Sequence, residues 1–200
     1  MIKKVAFDIG NVICHVDLEK FNNFLVDKKL FINKEAASNF IEGIQIGMDL
    51  GMYGIKQSFN NFFPNISKED LDQIYYVWMN IISISNEISD FIKELSGNGW
   101  EIALLSNIGF DHSFYFNEIF NFEYIKHFSY EIGARKPSKL FYQSFFIENY
   151  WTKDVLFFDD RQENVNASTK YFNGTLFNLN NYSSDKDAVL FLKSKLELLY

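Results

Sequence analysis

The chain has one cysteine, Cys14, among its 200 residues. That excludes an intramolecular disulfide and a multi-cysteine zinc site, and it sets a reducing, cytoplasmic setting as the expectation. Prolines number two, and no proline-rich linker divides the chain. No apolar run is long enough to cross a bilayer. Asp8 interrupts the apolar stretch that follows Lys3 and Lys4, so no signal peptide is expected. Positive charge is scarce as well. The net charge of −7 disfavours a nucleic-acid backbone or an anionic membrane as partner. What the chain has in quantity is apolar mass, with 48% hydrophobic residues and 23 phenylalanines, which marks it as globular. Its length suits one core with a modest insertion and needs no covalent staples.

The order of elements points to an α/β fold. Residues 3–9 read as a buried strand. From Val16 to Ile84 the pattern is helical, with no convincing strand. Asp17, Asn33 and Ser67 stand where helices start, Gly51 and Gly54 break the region, and Pro64 ends a segment. After Ile84 the period changes. A helix carries Ile88, Phe91, Ile92 and Leu95. Trp100–Leu105 reads as a strand, and a helix starts near Asp111. A weak strand follows near Phe128–Ile132, then a helix from Pro137 to Phe146. Val155–Phe158 reads as a strand and Val165–Phe172 as a helix closed by an Asn173-Gly174 turn. A last strand covers Thr175–Leu179 and a last helix Asp187–Leu199. Strands alternating with helices predict a doubly wound parallel sheet. The helical stretch is too long for a connection. It predicts a helical cap at 16–84, inserted after the first strand, over a core of 1–15 and 85–200.

Polar groups follow the apolar strands at Asp8, at Ser106-Asn107 and at Asp159-Asp160, and Lys136 follows the weak strand. In a doubly wound sheet such strand ends converge on one crevice. Clustered carboxylates repel one another unless a cation joins them. Oxygen ligands without cysteine suit a hard cation, Mg²⁺. A lysine and a hydroxyl aimed at the same point suit a phosphoryl group, whose oxygens need donors and charge neutralisation.

Four segments then carry a resemblance: F-D-I-G-N-V-I, L-L-S-N, G-A-R-K-P and F-F-D-D-R-Q-E-N-V. The chain resembles the haloacid-dehalogenase-like (HAD) hydrolase superfamily over essentially its whole length. Within it, the chain looks like the α-glucose-1-phosphate phosphatase-like group. The resemblance implies a Rossmann-like core and a magnesium-dependent phosphatase for a small phosphorylated metabolite, with a sugar phosphate favoured. Asp8 would be the nucleophile that forms an aspartyl-phosphate. Asp8, Asp160 and the Gly10 carbonyl would hold Mg²⁺, with Asp159 assisting from behind. Ser106, the Asn107 backbone and Asn11 would bind the phosphoryl group. Lys136 would neutralise charge on that group and on Asp8, and Asn164 would orient the fourth loop.

Most phosphatases of this superfamily carry an acid two residues after the nucleophile, where this chain has Gly10. Glycine transfers no proton. Three routes stay open: a leaving group that needs no proton, a substitute acid such as His15, or a protein that binds phosphate compounds and turns them over poorly. A 2-haloacid dehalogenase is a lesser alternative. Gly10 and the Asp159-Asp160 pair argue against it, and the two arginines, Arg135 and Arg161, fall in core motifs instead of the cap. Cap groups offered for a sugar ring are Tyr53, Gln57, Asn60, Tyr75, Tyr76 and Trp78. An exposed aromatic cap surface would also suit a homodimer.

Overall fold

The computed structural model describes residues 3–120 and 122–197. Five parallel strands form the central sheet in the order β5–β4–β1–β6–β7. They are β1 (Lys4–Phe7), β4 (Glu101–Ser106), β5 (Ile125–Phe128), β6 (Leu156–Asp159) and β7 (Asn173–Leu176). The apolar run of β1 is explained by its central place. Val5 and Phe7 face one layer and Ala6 the other, and all three are fully buried. A strand covered on both faces cannot alternate polar with apolar. On the first face pack α5 (Asn86–Gly97) and α10 (Asp185–Glu197), through residues such as Ile88, Ile92, Ala188 and Leu192. On the second lies α8 (Lys139–Asn149), through Phe141, Tyr142 and Phe145. Helices on both faces make the sheet doubly wound, with α6 (Phe110–Ile119) and α9 (Gln162–Ser168) completing the layers.

Between β1 and α5 stand four helices: α1 (Leu18–Asp27), α2 (Lys34–Asp49), α3 (Ile55–Phe62) and α4 (Lys68–Met79). Asp17, Asn33 and Ser67 each accept a backbone N–H of the first turn that follows, as N-caps do. These helices share an apolar cluster of their own around Phe21, Ile44, Phe59 and Trp78. Two glycines let them approach the core closely. Gly51 has a left-handed φ of +72°, and a Cβ there would meet the Tyr130 carbonyl at 2.9 Å. A Cβ on Gly109 would meet the Met48 carbonyl at 3.1 Å.

The helical stretch is also tied at its base by strands that its sequence does not announce. β2 (Cys14–Val16) and β3 (Ile82–Ile84) pair antiparallel, Cys14 opposite Ile84. Three residues are too few for a period of two to declare itself. Further differences have local causes. β5 ends where Phe128–Ile132 was expected to begin, and Ser129–Ile132 instead makes a short helix, α7, closed by left-handed Gly133. The Ser129 hydroxyl donates to Asp49 O at 2.6 Å and accepts the Ile108 N–H, a tertiary anchor no local pattern reveals. Asn173-Gly174 belongs to β7 and is not a turn. A Cβ on Gly174 would lie 2.6 Å from Ser168 Oγ, so this glycine serves the close approach of α9. α9 correspondingly ends at Ser168, short of Phe172. The expected end of the last helix at Leu199 lies outside the described residues.

Candidate active site

The crevice at the carboxyl ends of β1, β4 and β6 is a cleft of about 400 Å³. Asp8, Gly10, Asn11, Ser106, Asn107, Lys136 and Asp160 all line it, as does Asn164. The topology explains this meeting. β1 lies between β4 and β6, so residues just past their ends are neighbours in space though about 100 and 150 positions apart in sequence.

Lys136 is buried among three strand ends. Its Nζ donates to Leu105 O at 2.7 Å and to Asp159 Oδ2 at 2.7 Å, and lies 2.9 Å from Asp8 Oδ1. Burial alone would lower its pKa, but the Asp159 and Asp8 carboxylates outweigh it and hold the ammonium above its ordinary value. Asp8 shows the opposite balance. Burial pushes its carboxyl up to about 7; Lys136 pulls down, while Asp159 and Asp160 push further up. Its Oδ1 is buried with no aligned hydrogen-bond donor. The Lys136 ammonium beside it is what compensates the burial of that oxygen.

The three carboxylates Asp8, Asp159 and Asp160 can bring ligand oxygens within 4.8 Å of one another. Their states differ. Asp159 is fully buried, and both its oxygens are engaged: Oδ1 accepts the Arg161 N–H and Asn164 Nδ2, and Oδ2 accepts Lys136 and Asn164. Asp160 Oδ2 accepts only Asn11 Nδ2, at 3.0 Å, and burial raises its pKa. A divalent ion fits this set. Asp8 and Asp160 have oxygens to give, and Asp159 holds the lysine behind them. Hard oxygen donors of this kind suit magnesium.

Ser106 ends β4 nearly buried, and its hydroxyl has no partner among the described residues. The Asn107 side chain has a task that its motif does not announce. Its side chain closes a two-way bond with the Lys136 backbone, donating to Lys136 O at 2.8 Å and accepting the Lys136 N–H at 2.7 Å. It positions the Lys136 backbone, and Asn107 itself lines the cleft. The Asn11 side chain is likewise committed. Oδ1 accepts the Val16 N–H and Asn180 Nδ2, and Nδ2 donates to Asp160. Gly10 lines the cleft without a side chain. Tyr142 supports the floor, its hydroxyl donating to Asn164 O.

The cap closes the cleft with Gln45, Met48, Asp49 and Trp78. Of the six cap groups expected near a ring, only Trp78 lines it. Asp49 was missed, because a lone acid near the end of an amphipathic helix carries no motif. Asp49 is buried, and Arg135 Nη2 reaches it at 2.9 Å. Both arginines line the cleft, so the core motifs do supply guanidinium groups to it. His15 does not line it. Its Nδ1 pairs with Asn180 at 2.6 Å and its Nε2 faces Asp185 at 3.3 Å. His112 lines the cleft, but its Nε2 bonds Trp78 O and burial drives its pKa down to about 4, leaving a neutral ring.

No family model and no curated protein matches the chain. Solved structures do. A HAD family enzyme of Bacteroides thetaiotaomicron, in complex with magnesium and inorganic phosphate, superposes with a TM-score of 0.74 at 18% identity, covering 88% of this chain and 94% of the other. A HAD-like family hydrolase from Porphyromonas gingivalis gives 0.73 at 18% identity, covering 96% and 98%. A HAD phosphatase from Thermococcus onnurineus gives 0.65 at 15% identity, covering 98% of each chain. The chain therefore has the α/β fold of HAD family enzymes.

Proposed function

We propose that this chain is a magnesium-dependent phosphatase of the HAD type that acts on a small phosphorylated metabolite through an aspartyl-phosphate at Asp8. One observation carries the reading. Asp8 lines the cleft with its buried Oδ1 held 2.9 Å from the Lys136 ammonium, and Ser106 and Asp160 line the same cleft. Asp8 attacks phosphorus, the bond to the leaving oxygen breaks, and water later cleaves the acyl phosphate. Ser106 and the Asn107 backbone donate to phosphoryl oxygens. Lys136 keeps Asp8 and Asp159 compensated. Magnesium, held by Asp8 and Asp160, would supply the charge that lets one anion approach another. The fold neighbour holding magnesium and phosphate supports the same chemistry.

A sugar phosphate is the favoured substrate class, as in the α-glucose-1-phosphate phosphatase-like group. Gln45, Asp49 and Arg135 offer polar edges in the cleft, and the buried Trp78, stacked on His112, forms part of its wall. The dehalogenase reading gains two arginines in the cleft and a fold neighbour, the L-2-haloacid dehalogenase of Xanthobacter autotrophicus, with a TM-score of 0.56. The carboxylate cluster weighs against it, since it asks for a cation that chemistry at carbon does not need. A phosphate-binding protein without turnover is the other rival.

The discriminating assay is hydrolysis of p-nitrophenyl phosphate and acetyl phosphate. The expected result is turnover with Mg²⁺, loss in excess EDTA, and loss of at least about a hundredfold in Asp160→Ala. Full activity in EDTA would revive the dehalogenase reading. Magnesium-dependent phosphate binding without any turnover would favour the binder.

A further inference from the structure

Gly10 leaves the reaction without an acid at the point where this fold usually keeps one. Four carboxylates line the cleft: Asp8, Asp49, Asp111 and Asp160. Asp8 and Asp160 are assigned to the nucleophile and the metal. Asp111 Oδ2 accepts the Ile55 N–H at 2.9 Å and so caps α3. Asp49 remains. Its buried Oδ2 lies 2.9 Å from Nη2 of Arg135, the residue before Lys136, and its Oδ1 has no partner among the described residues. Its backbone is fixed independently by Ser129.

Resting on the phosphatase reading, we infer that Asp49, carried on the cap, is the catalytic acid that protonates the leaving group. Asp8 forms a bond to phosphorus, the phosphorus–oxygen bond to the leaving group breaks with its electron pair on that oxygen, and the Asp49 proton goes there to give the free alcohol. The Asp49 carboxylate then takes a proton from the water that attacks phosphorus. The acyl-phosphate bond returns its electrons to Asp8, and inorganic phosphate leaves. Both proton transfers balance over one turnover.

Electrostatics agree with the role. Burial raises the Asp49 carboxyl to about 6, against the lowering pull of Arg135, Lys136 and Arg161. All three charges facing it are cations. Tyr130 and Glu131 of α7, which also packs against α2, bond one another. An acid so placed holds its proton near neutrality far better than an exposed aspartate.

Gly10 offers an independent check. A Cβ there would meet only Val16 Cγ2, at 3.6 Å, an ordinary contact, and its φ is not left-handed. A carboxyl can therefore be restored at that position without backbone strain.

The test compares single-turnover rates on p-nitrophenyl phosphate and ethyl phosphate, with Mg²⁺, in wild type, Asp49→Asn, and Asp49→Asn with Gly10→Asp. The ratio of the aryl to the ethyl rate should rise about a hundredfold or more in Asp49→Asn, because only the ethyl alcohol needs the proton. Gly10→Asp should recover at least about tenfold of the lost ethyl rate. With ethyl phosphate the wild-type first step should slow as pH rises past about 6, and this limb should be absent in Asp49→Asn and with p-nitrophenyl phosphate. An unchanged ratio in a variant that melts like wild type would make Asp49 a structural partner of Arg135 and overturn the inference. A steep dependence of the wild-type rate on leaving-group basicity would overturn it without any variant. No magnesium-dependent p-nitrophenol burst from wild type would instead sink the phosphatase reading itself, and this inference with it.

Discussion

Asp8→Asn is expected to abolish hydrolysis, by about a hundredfold at the least, and to leave the metal-free protein as stable as wild type or more so. The two effects have one origin. Asp8 is buried, and its pKa stands at about 7 against an ordinary 3.8. A group whose folded pKa is raised binds protons more readily folded than unfolded. Stability therefore falls as pH rises from the unfolded value through the folded one. At neutral pH the Asp8 carboxylate is accordingly a burden on the fold. The amide has nearly the same shape and no charge, so it removes the burden together with the nucleophile. Steady-state turnover and thermal melts with and without Mg²⁺ test both halves. Wild type should gain stability on adding the ion and Asp8→Asn should gain little. Turnover above a few per cent of wild type would sink the assignment (about a hundredfold loss is the least consistent with it).

Lys136→Met should be the most destabilising of the single changes considered, by about 3–5 kcal/mol at neutral pH, and inactive as well. Met matches the aliphatic stem, so little packing is lost. What is lost is the ammonium between Asp8 and Asp159, both buried. Two facing carboxylates then lack a cation. Asp8, already pushed up to about 7, loses the cation that pulls it down, so its folded pKa rises further and it takes up a proton more readily. The deficit of the variant should accordingly shrink as pH is lowered from neutrality, in contrast to a simple packing defect, which is indifferent to pH. Urea midpoints at several pH values read this directly. A variant within about 1 kcal/mol of wild type would mean the pair compensates itself in some other way.

The sheet was legible because its centre is pure hydrophobic run. Val5-Ala6-Phe7 and Leu156-Phe157-Phe158 have no polar position to confuse the reading, and each ends in an acid that cannot be buried without cause. Peripheral strands were read less well. Asn173-Gly174 has turn chemistry, and only the contact with α9 makes it strand. The β2–β3 ribbon was invisible because each arm is three residues and the partner arm lies at the far end of the insertion. The residues that meet in the cleft could be named from the sequence because they sit beside punctuation that a chain can display: a strand end, a Gly-Asn, a Lys-Pro. Asp49 has none of these. Its place depends on the tilt of one helix over a crevice, fixed by Gly51, Gly109 and Ser129, and no local pattern encodes that. The two-way bond between Asn107 and Lys136 was hidden for the same reason, since 29 residues separate the partners.

Asn11 fixes how one oxygen of Asp160 is held. Residue 11 is left-handed, at φ 54°, and its carbonyl oxygen must face the Val16 N–H, which can only donate. The amide is thereby fixed in one orientation, with its NH₂ turned to Asp160 Oδ2. One oxygen of that carboxylate carries an amide hydrogen bond, and the other has no partner among the described residues. Small ions with a strict octahedral shell accept single oxygens readily, while calcium often takes both oxygens of a carboxylate. Were a cation held there, a side-chain amide that does not itself coordinate would favour single-oxygen binding by Asp160, the mode that suits a magnesium-sized ion.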